Sequence, residues 1–316
     1  YTNDIGHFLV KSAKLVIGGS CIDQVWSDLL FIWEELSGRS GRKLCEMTGK
    51  RWTRQQLICD SRQKRTLWVP LPFFFTQSSG SALSLASLQF HGVSLHVEWA
   101  RLEHAIVVSS PNVAVKNTAT GCCLTPNDLK AQVDVTYVFL ENSEREKFSS
   151  TSFEQLVIQH QCFTQQSNNS SLRLNLSFNH PCLEIMFAVR RQCQERVNNW
   201  FCYSGIDNRD PVVSAQIMLN NQPRFSARPG SYFRLVQPYQ HHTCVPDTFC
   251  YTYSFALHPE DVHPSGQINM SRIDNCELKL QLQDGLGREQ VTVLCFARSW
   301  NILRFKEGLA GIGFAN

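Results

Sequence analysis

An all-β architecture, two tandem sandwiches of antiparallel sheet, is the fold class that the sequence predicts, and three observations carry it. Apolar and polar residues alternate strictly over several runs, as in Leu172, Leu174, Leu176 and Phe178 against Arg173, Asn175 and Ser177. Gly18-Gly19 and Asn220-Asn221 follow such runs and supply the positive φ of two-residue hairpins. Helical periodicity is confined to short pieces that do not alternate with strands, which excludes a parallel α/β sheet. The chain of 316 residues is about twice a typical domain of roughly 150, so two units are expected. Its 43% hydrophobic and 18% charged content, the latter below the roughly 25% of average soluble chains, predicts a large core rather than disorder.

Along the chain, Leu15 to Ile17 reads as a strand ending in the Gly18-Gly19 turn, and Ile22, Trp26, Leu29, Leu30 and Trp33 read as a short helix. Strand alternation returns at Val93, Leu95, Val97 and Trp99 and at Val133, Val135, Tyr137 and Phe139. Polar text from Glu141 to Ser152 then marks a boundary, and the units are placed at 1–145 and 146–316. In the second unit Phe153, Leu156 and Val157 read as a helical piece. Strands follow at Leu172 to Phe178, Ile217 to Leu219, Tyr251 to Leu257 and Leu278 to Leu282. Each half fits a jelly roll, two sheets packed face to face. The first half shows fewer than the usual eight strands, so it is expected to be N-terminally incomplete, with its opening strands upstream of Tyr1. A sandwich without them exposes edges and apolar faces, and poor solubility is expected of the segment alone.

Composition excludes several functions. With 30 Lys and Arg against 27 Asp and Glu, the net charge of +3 is too small for a broad phosphate-binding field. Apolar stretches such as Leu29 to Trp33 and Trp68 to Phe75 fall short of the roughly 18 residues of a membrane-spanning helix. The N-terminus has no leader pattern and does not begin with Met, so the true start is expected to be missing or processed. Thirteen cysteines are scattered, odd in number and without a C-x-x-C pair, and Cys122 and Cys123 are adjacent. They read as small buried residues in a reducing compartment, with at most a disulfide or two.

Few residues offer a catalytic apparatus. His91, His96 and Glu98 suggest a cupin-like metal site, but an odd spacing of five puts the two histidines on opposite faces of a strand. The adjacent pair His241-His242 has the same defect. No G-x-S-x-G, H-E-x-x-H or P-loop is present. Gly308, Gly311 and Gly313 read as a final strand or close backbone contact rather than a phosphate loop. The basic group Lys50, Arg51, Arg54, Arg62, Lys64 and Arg65, around Trp52, reads as a solvated loop, with an acidic partner or nucleic acid as the alternative. Sequons at Asn168, Asn169, Asn175 and Asn269 read as coincidental, with glycosylation as the alternative. Pro264, Ser265 and Gly266 form a turn feeding a strand at Gln267 to Met270, a structural reading preferred over a ligand site.

Longer strings carry a resemblance. They are Val16-Ile17-Gly18-Gly19 with Ile22-Asp23, Val69-Pro70-Leu71-Pro72-Phe73-Phe74-Phe75, Leu88-Gln89-Phe90-His91 and Phe178-Asn179-His180-Pro181. Further on stand Gly230-Ser231-Tyr232-Phe233, Gln237-Pro238-Tyr239, Phe255-Ala256-Leu257-His258-Pro259 and the run from Pro264 to Asp274. The close is Asn301-Ile302-Leu303-Arg304 and Gly308 to Asn316. Together they resemble the double jelly-roll major capsid proteins of nucleocytoplasmic large DNA viruses, such as those of chlorella viruses and iridoviruses. The most specific piece contains Pro264, Ser265, Gly266, Asn269, Ser271 and Arg272. Against the family's pattern, the first strands are absent, the cysteines are many and the loops look short.

The resemblance implies a structural capsid subunit with no enzymatic activity, cofactor or metal. It implies a homotrimer, since two similar units in each of three chains give a pseudo-hexagonal tile of an icosahedral shell. Implied partners are neighbouring capsomers and minor capsid proteins, with no direct nucleic acid and an internal viral membrane nearby but not entered. Assembly in the host cytoplasm and residence in the virion capsid go with it. Alternatives are a minor capsid paralogue of the same fold and a jelly-roll glycan-binding module for host attachment.

Overall fold

The structure is a computed structural model that describes residues 1–38, 44–107 and 129–315. Cys122, Cys123 and Asn316, singled out above, lie outside them. The N-terminal part begins with α1 (Ile5–Leu9), β1 (Val10–Ile17), β2 (Ser20–Trp26) and α2 (Ser27–Ser37). Short helices α3 (Leu44–Thr48), α4 (Arg54–Ser61) and α5 (Phe74–Gln77) precede β3 (Val93–Trp99). These strands form an antiparallel sheet of order β2-β1-β3. Gly18 and Gly19 turn β1 into β2 with φ of 57° and 84°, and a Cβ on Gly18 would lie 2.4 Å from the His91 ring, so glycine is required there twice over.

After α6 (Asn142–Ser150) come β4 (Phe153–Ser167), β5 (Ser171–Asn175), β6 (Pro181–Arg191), α7 (Gln192–Arg196), β7 (Val212–Leu219), β8 (Gln222–Pro223) and β9 (Arg228–Pro229). The chain continues through α8 (Gln237–His241), β10 (Cys250–Ser254), β11 (Ile268–Asn269), β12 (Cys276–Leu282), β13 (Val291–Lys306) and β14 (Leu309–Ile312). Strands alternate between two sheets. One has the order β10-β6-β13-β14, with β4 along β13 and β11 on β6; the other runs β5-β12-β7-β8, with β9 on β7. This exchange is the jelly-roll connection, and Asn220-Asn221, at φ 49° and 64°, makes the β7–β8 hairpin as expected.

β6 and β13 are buried on both faces, so they read as continuous rather than alternating apolar runs. Ile185, Phe187, Val189, Val291, Val293, Cys295 and Ala297 face inward onto Leu172, Leu174, Ile217, Leu278 and Leu280 of the second sheet. Met186, Ala188, Leu294 and Phe296 point the other way, into one core with Leu15, Val25, Leu29 and Phe31 of the N-terminal part. Aromatic rings cross this seam, Phe31 stacking on Phe201 at 4.5 Å between centroids.

Several expectations need correction. Val133 to Phe139 forms no strand with any of the described residues, and Val133, Val135, Tyr137, Val138 and Phe139 are 54–94% exposed. Alternation reports compatibility with a sheet, and a strand forms only where an edge accepts it. Phe153, Leu156 and Val157 lie in β4, because a three-residue apolar motif fits either period. Ile22 and Trp26 belong to β2, and the helix starts only at Ser27. The polar text after Glu141 holds α6, where Glu141 and Glu144 form a capping box. The basic group is not a loop throughout: Arg54 lies in α4, Arg51 and Arg65 both pair with Asp60, and Lys50 pairs with Glu35.

Phe187→Ala is expected to cost about 3–5 kcal/mol in a denaturant titration, whereas Phe139→Ala should change stability by less than about 0.5 kcal/mol. Equal effects would contradict the placement of these side chains.

Candidate functional site: the polar seam and the exposed surface

A sheet covered on both faces can carry polar side chains only if each meets a partner. The face that β6, β13 and β4 turn toward the N-terminal part carries several. Arg190 donates from Nη1 to Asp28 Oδ1 at 2.7 Å and from Nε to Glu195 Oε1 at 3.0 Å, and its guanidinium lies 5.3 Å from the Trp200 ring. Tyr203 donates to the same Asp28 oxygen at 2.6 Å. On β4, the His160 amide donates to Asp23 Oδ1 at 2.8 Å and its ring Nδ1 sits 3.0 Å from Oδ2. Gln159 donates to the Ile22 carbonyl at 2.5 Å and accepts from Asn301 at 2.7 Å. Helix α2 and strand β2 are thus tied to the large sheet by directional bonds as well as apolar contact.

The deepest group centres on Glu184 of β6. Arg298, fully buried, donates to Glu184 Oε1 at 2.7 Å and to the Pro259 carbonyl at 3.0 Å, and its guanidinium lies 3.8 Å from the Trp33 ring centroid. Its Nε and Nη2 have no hydrogen-bond partner, so the Trp33 face is what stabilises that side of the cation. His242 places Nε2 2.9 Å from Glu184 Oε2, close enough for an ion pair though too poorly aligned for a hydrogen bond, and Nδ1 3.1 Å from Glu260 Oε1. Burial by itself lowers the His242 pKa, but the Glu184 and Glu260 carboxylates outweigh it and raise it to about 9. Burial likewise works to raise the Glu184 pKa, and His242 and Arg298 together bring it down to about 2.

The family-motif residues form a second constellation at the start of β6. Ser265 Oγ accepts from the His258 amide at 2.9 Å and donates back to its carbonyl at 3.1 Å. Gly266 has φ +137° and passes so close to Phe255 that a Cβ would lie 2.9 Å from its carbonyl oxygen. Asn269 Oδ1 accepts from the Ser271 amide at 3.1 Å, and Ser271 Oγ accepts from the His180 amide at 2.8 Å. Pro264 and Arg272 are exposed on the same loop. The string therefore stitches the loop before β12 to β6, and it offers no convergent set of reactive groups.

The remaining candidates do not converge either. His91 Nδ1 bonds to Ala310, His96 Nε2 lies 3.0 Å from Ser94 Oγ, and Glu98 pairs with Lys11 at 2.5 Å, so each serves a different neighbour. His241 contacts the Leu257 carbonyl while His242 enters the Glu184 group. Gly308 makes the β13–β14 turn with φ 78°, and Gly311 lies in β14. Asn168, Asn169, Asn175 and Asn269 are all exposed. Cys182, Cys250, Cys276 and Cys295 are buried thiols as expected, whereas Cys21, Cys59 and Cys162 are exposed, against that expectation. Among the described residues no helix is long and apolar enough to cross a membrane.

The seam residues Glu184, Arg190, Arg298 and Asp28 escaped the sequence reading. Their signal was a lone charge inside an otherwise apolar strand, as Glu184 stands between Leu183 and Ile185. Such a charge needs a partner.

Comparison with known proteins places this geometry. A family model described as large eukaryotic DNA virus major capsid protein matches residues 144–311, and one described as major capsid protein N-terminus matches residues 1–141. The major capsid protein of Pyramimonas orientalis virus is 33% identical over 98% of this chain and 78% of its own length. That of Paramecium bursaria Chlorella virus 1 is 29% identical over 98% and 79%. Among solved structures, a quasi-atomic model of the PBCV-1 virus capsid superposes with a TM-score of 0.78 at 25% identity, covering all of this chain and 86% of that one. The Faustovirus major capsid protein shares the fold at a TM-score of 0.69 and 12% identity, over 97% and 73%.

The seam has a pH signature. His242 has a folded pKa above its ordinary 6.5, so its stabilisation is complete below pH 6.5 and is lost as pH rises through about 9. Glu184, with a depressed pKa, contributes above its ordinary 4.5 and loses that contribution as pH falls toward about 2. Unfolding free energies from denaturant titration are therefore expected to fall between pH 6.5 and 9, by on the order of 2 kcal/mol. His242→Gln should start lower and lose most of that slope; an unchanged slope would remove His242 as its source.

Proposed function

The chain belongs to the family of large eukaryotic DNA virus major capsid proteins, and from that premise we propose that it assembles as a homotrimer, a pseudo-hexagonal capsomer of an icosahedral shell. It is a structural capsid protein, working through surface buried between copies. Three chains with two similar units each present six similar blocks around a threefold axis, which gives a tile with a nearly hexagonal outline.

The observation that carries the assembly reading is the exposed run from Val133 to Phe139, largely apolar and unpaired among the described residues. Exposed apolar stretches of this kind mark interaction surfaces, and obligate subunit contacts typically exceed about 2,000 Å². A division into units over 1–145 and 146–316 belongs to the same proposal. The two family models meet between residues 141 and 144, and α6 lies at that junction.

Assembly in the host cytoplasm, over minor capsid proteins and outside an internal viral membrane, completes the reading. The buried free thiols of Cys182, Cys250, Cys276 and Cys295 support that compartment. There the sequons at Asn168, Asn169, Asn175 and Asn269 stay unmodified. The Pro264–Arg272 residues act as structural stitching, and no reaction is assigned to the chain.

Native mass spectrometry of the purified protein tests the assembly reading. A stable species of three chains is expected, and Val135→Lys with Phe139→Lys should shift it toward smaller species without lowering the thermal midpoint. A monodisperse wild-type monomer at micromolar concentration would overturn it.

A further inference from the structure

A second buried polar group, in the N-terminal part, is not explained by the seam. Asp4 precedes α1, His7 lies within it, and Glu34 faces them from α2. His7 Nδ1 is 2.7 Å from Asp4 Oδ2 and 3.3 Å from Glu34 Oε2. One ligand atom from each residue falls within 4.8 Å of the other two. The side chains of Asp4 and His7 are 0% and 3% exposed and that of Glu34 is 12% exposed.

The hydrogen bonds do not close. Asp4 Oδ1 and Glu34 Oε2 are both shut off from solvent and neither receives a hydrogen bond. The nearby cation, Lys50, is committed to Glu35, whose other oxygen accepts from the Thr248 amide and hydroxyl. Two buried carboxyl groups thus face one imidazole, each with an oxygen that accepts no hydrogen bond.

We propose that Asp4, His7 and Glu34 form a binding site for a divalent first-row transition ion of the zinc class, which fastens α1 to α2. One imidazole nitrogen and two carboxylate oxygens are the borderline donor set such an ion takes, whereas Mg²⁺ and Ca²⁺ favour all-oxygen cages. Bond lengths of about 2.0–2.2 Å put tetrahedral ligand atoms roughly 3.3 Å apart, so the His7–Asp4 contact of 2.7 Å opens by about half an ångström while the His7–Glu34 spacing of 3.3 Å already fits. Three protein ligands leave a fourth position for water. The ion takes a structural role, and no reaction is assigned to it.

The experiment uses the full chain, stripped with chelator and kept reduced. Zn²⁺ titration with mass detection should show one ion bound per chain and a rise in thermal midpoint of about 5 °C at saturation. Asp4→Asn with Glu34→Gln should weaken binding at least about tenfold. Because the variant could misfold, Co²⁺ substitution in the wild type gives an independent reading. Visible d–d bands without a thiolate charge-transfer band support the nitrogen and oxygen ligands. No stoichiometric uptake, a thiolate band from the free cysteines, or undiminished binding by the folded variant would overturn the site.

Discussion

The structure depends on one sheet that has no solvent-facing side over most of its width. β6 and β13 lie between a second sheet and the N-terminal part, so their side chains must satisfy two cores at once. On the inner face this is met mainly by apolar packing. On the outer face packing is interrupted by Arg190, Glu184 and Arg298, and each interruption is answered from the N-terminal part or from the loops around α8. Removing one member leaves an unpaired buried charge, which costs more than the pair gains.

The polar contacts therefore act mainly on specificity. Phe31 could pack against the sheet in more than one sliding position, but Asp28 can reach both Arg190 and Tyr203 in one only. The same holds for Asp23, whose carboxylate meets both the amide and the ring of His160. Apolar burial supplies the larger share of the attraction, and these paired groups fix the register at which it is realised.

Much of this fold was legible in the residue pattern, for reasons that differ by element. The Gly18-Gly19 and Asn220-Asn221 turns were readable because positive φ leaves few residue choices. β12 was readable because one face meets a core and the other meets water, which forces alternation. β6 and β13 were harder, since burial on both faces erases that alternation. Val133 to Phe139 misled in the opposite way, showing a strand's pattern where no strand among the described residues pairs with it. Of the site residues, the Pro264–Arg272 string was visible as turn chemistry. The Glu184 group was not, since His242 and Arg298 are 56 residues apart in sequence and only the fold joins them.

The position of β13 in the chain bears on how the molecule is made. This strand lies between β4 and β6 and pairs with both, yet it occupies residues 291–306, after every other long strand. During synthesis β4 and β6 wait as separate edges, with apolar faces uncovered, until the middle of their sheet emerges from the ribosome. Closing a ladder between Phe153 and Phe305 also requires the ends of a long intervening chain to meet, which slows folding. A nascent subunit held in that state offers open edges to pairing with its neighbours on the polysome, so the order of its strands is a hazard to folding that the finished sheet no longer shows.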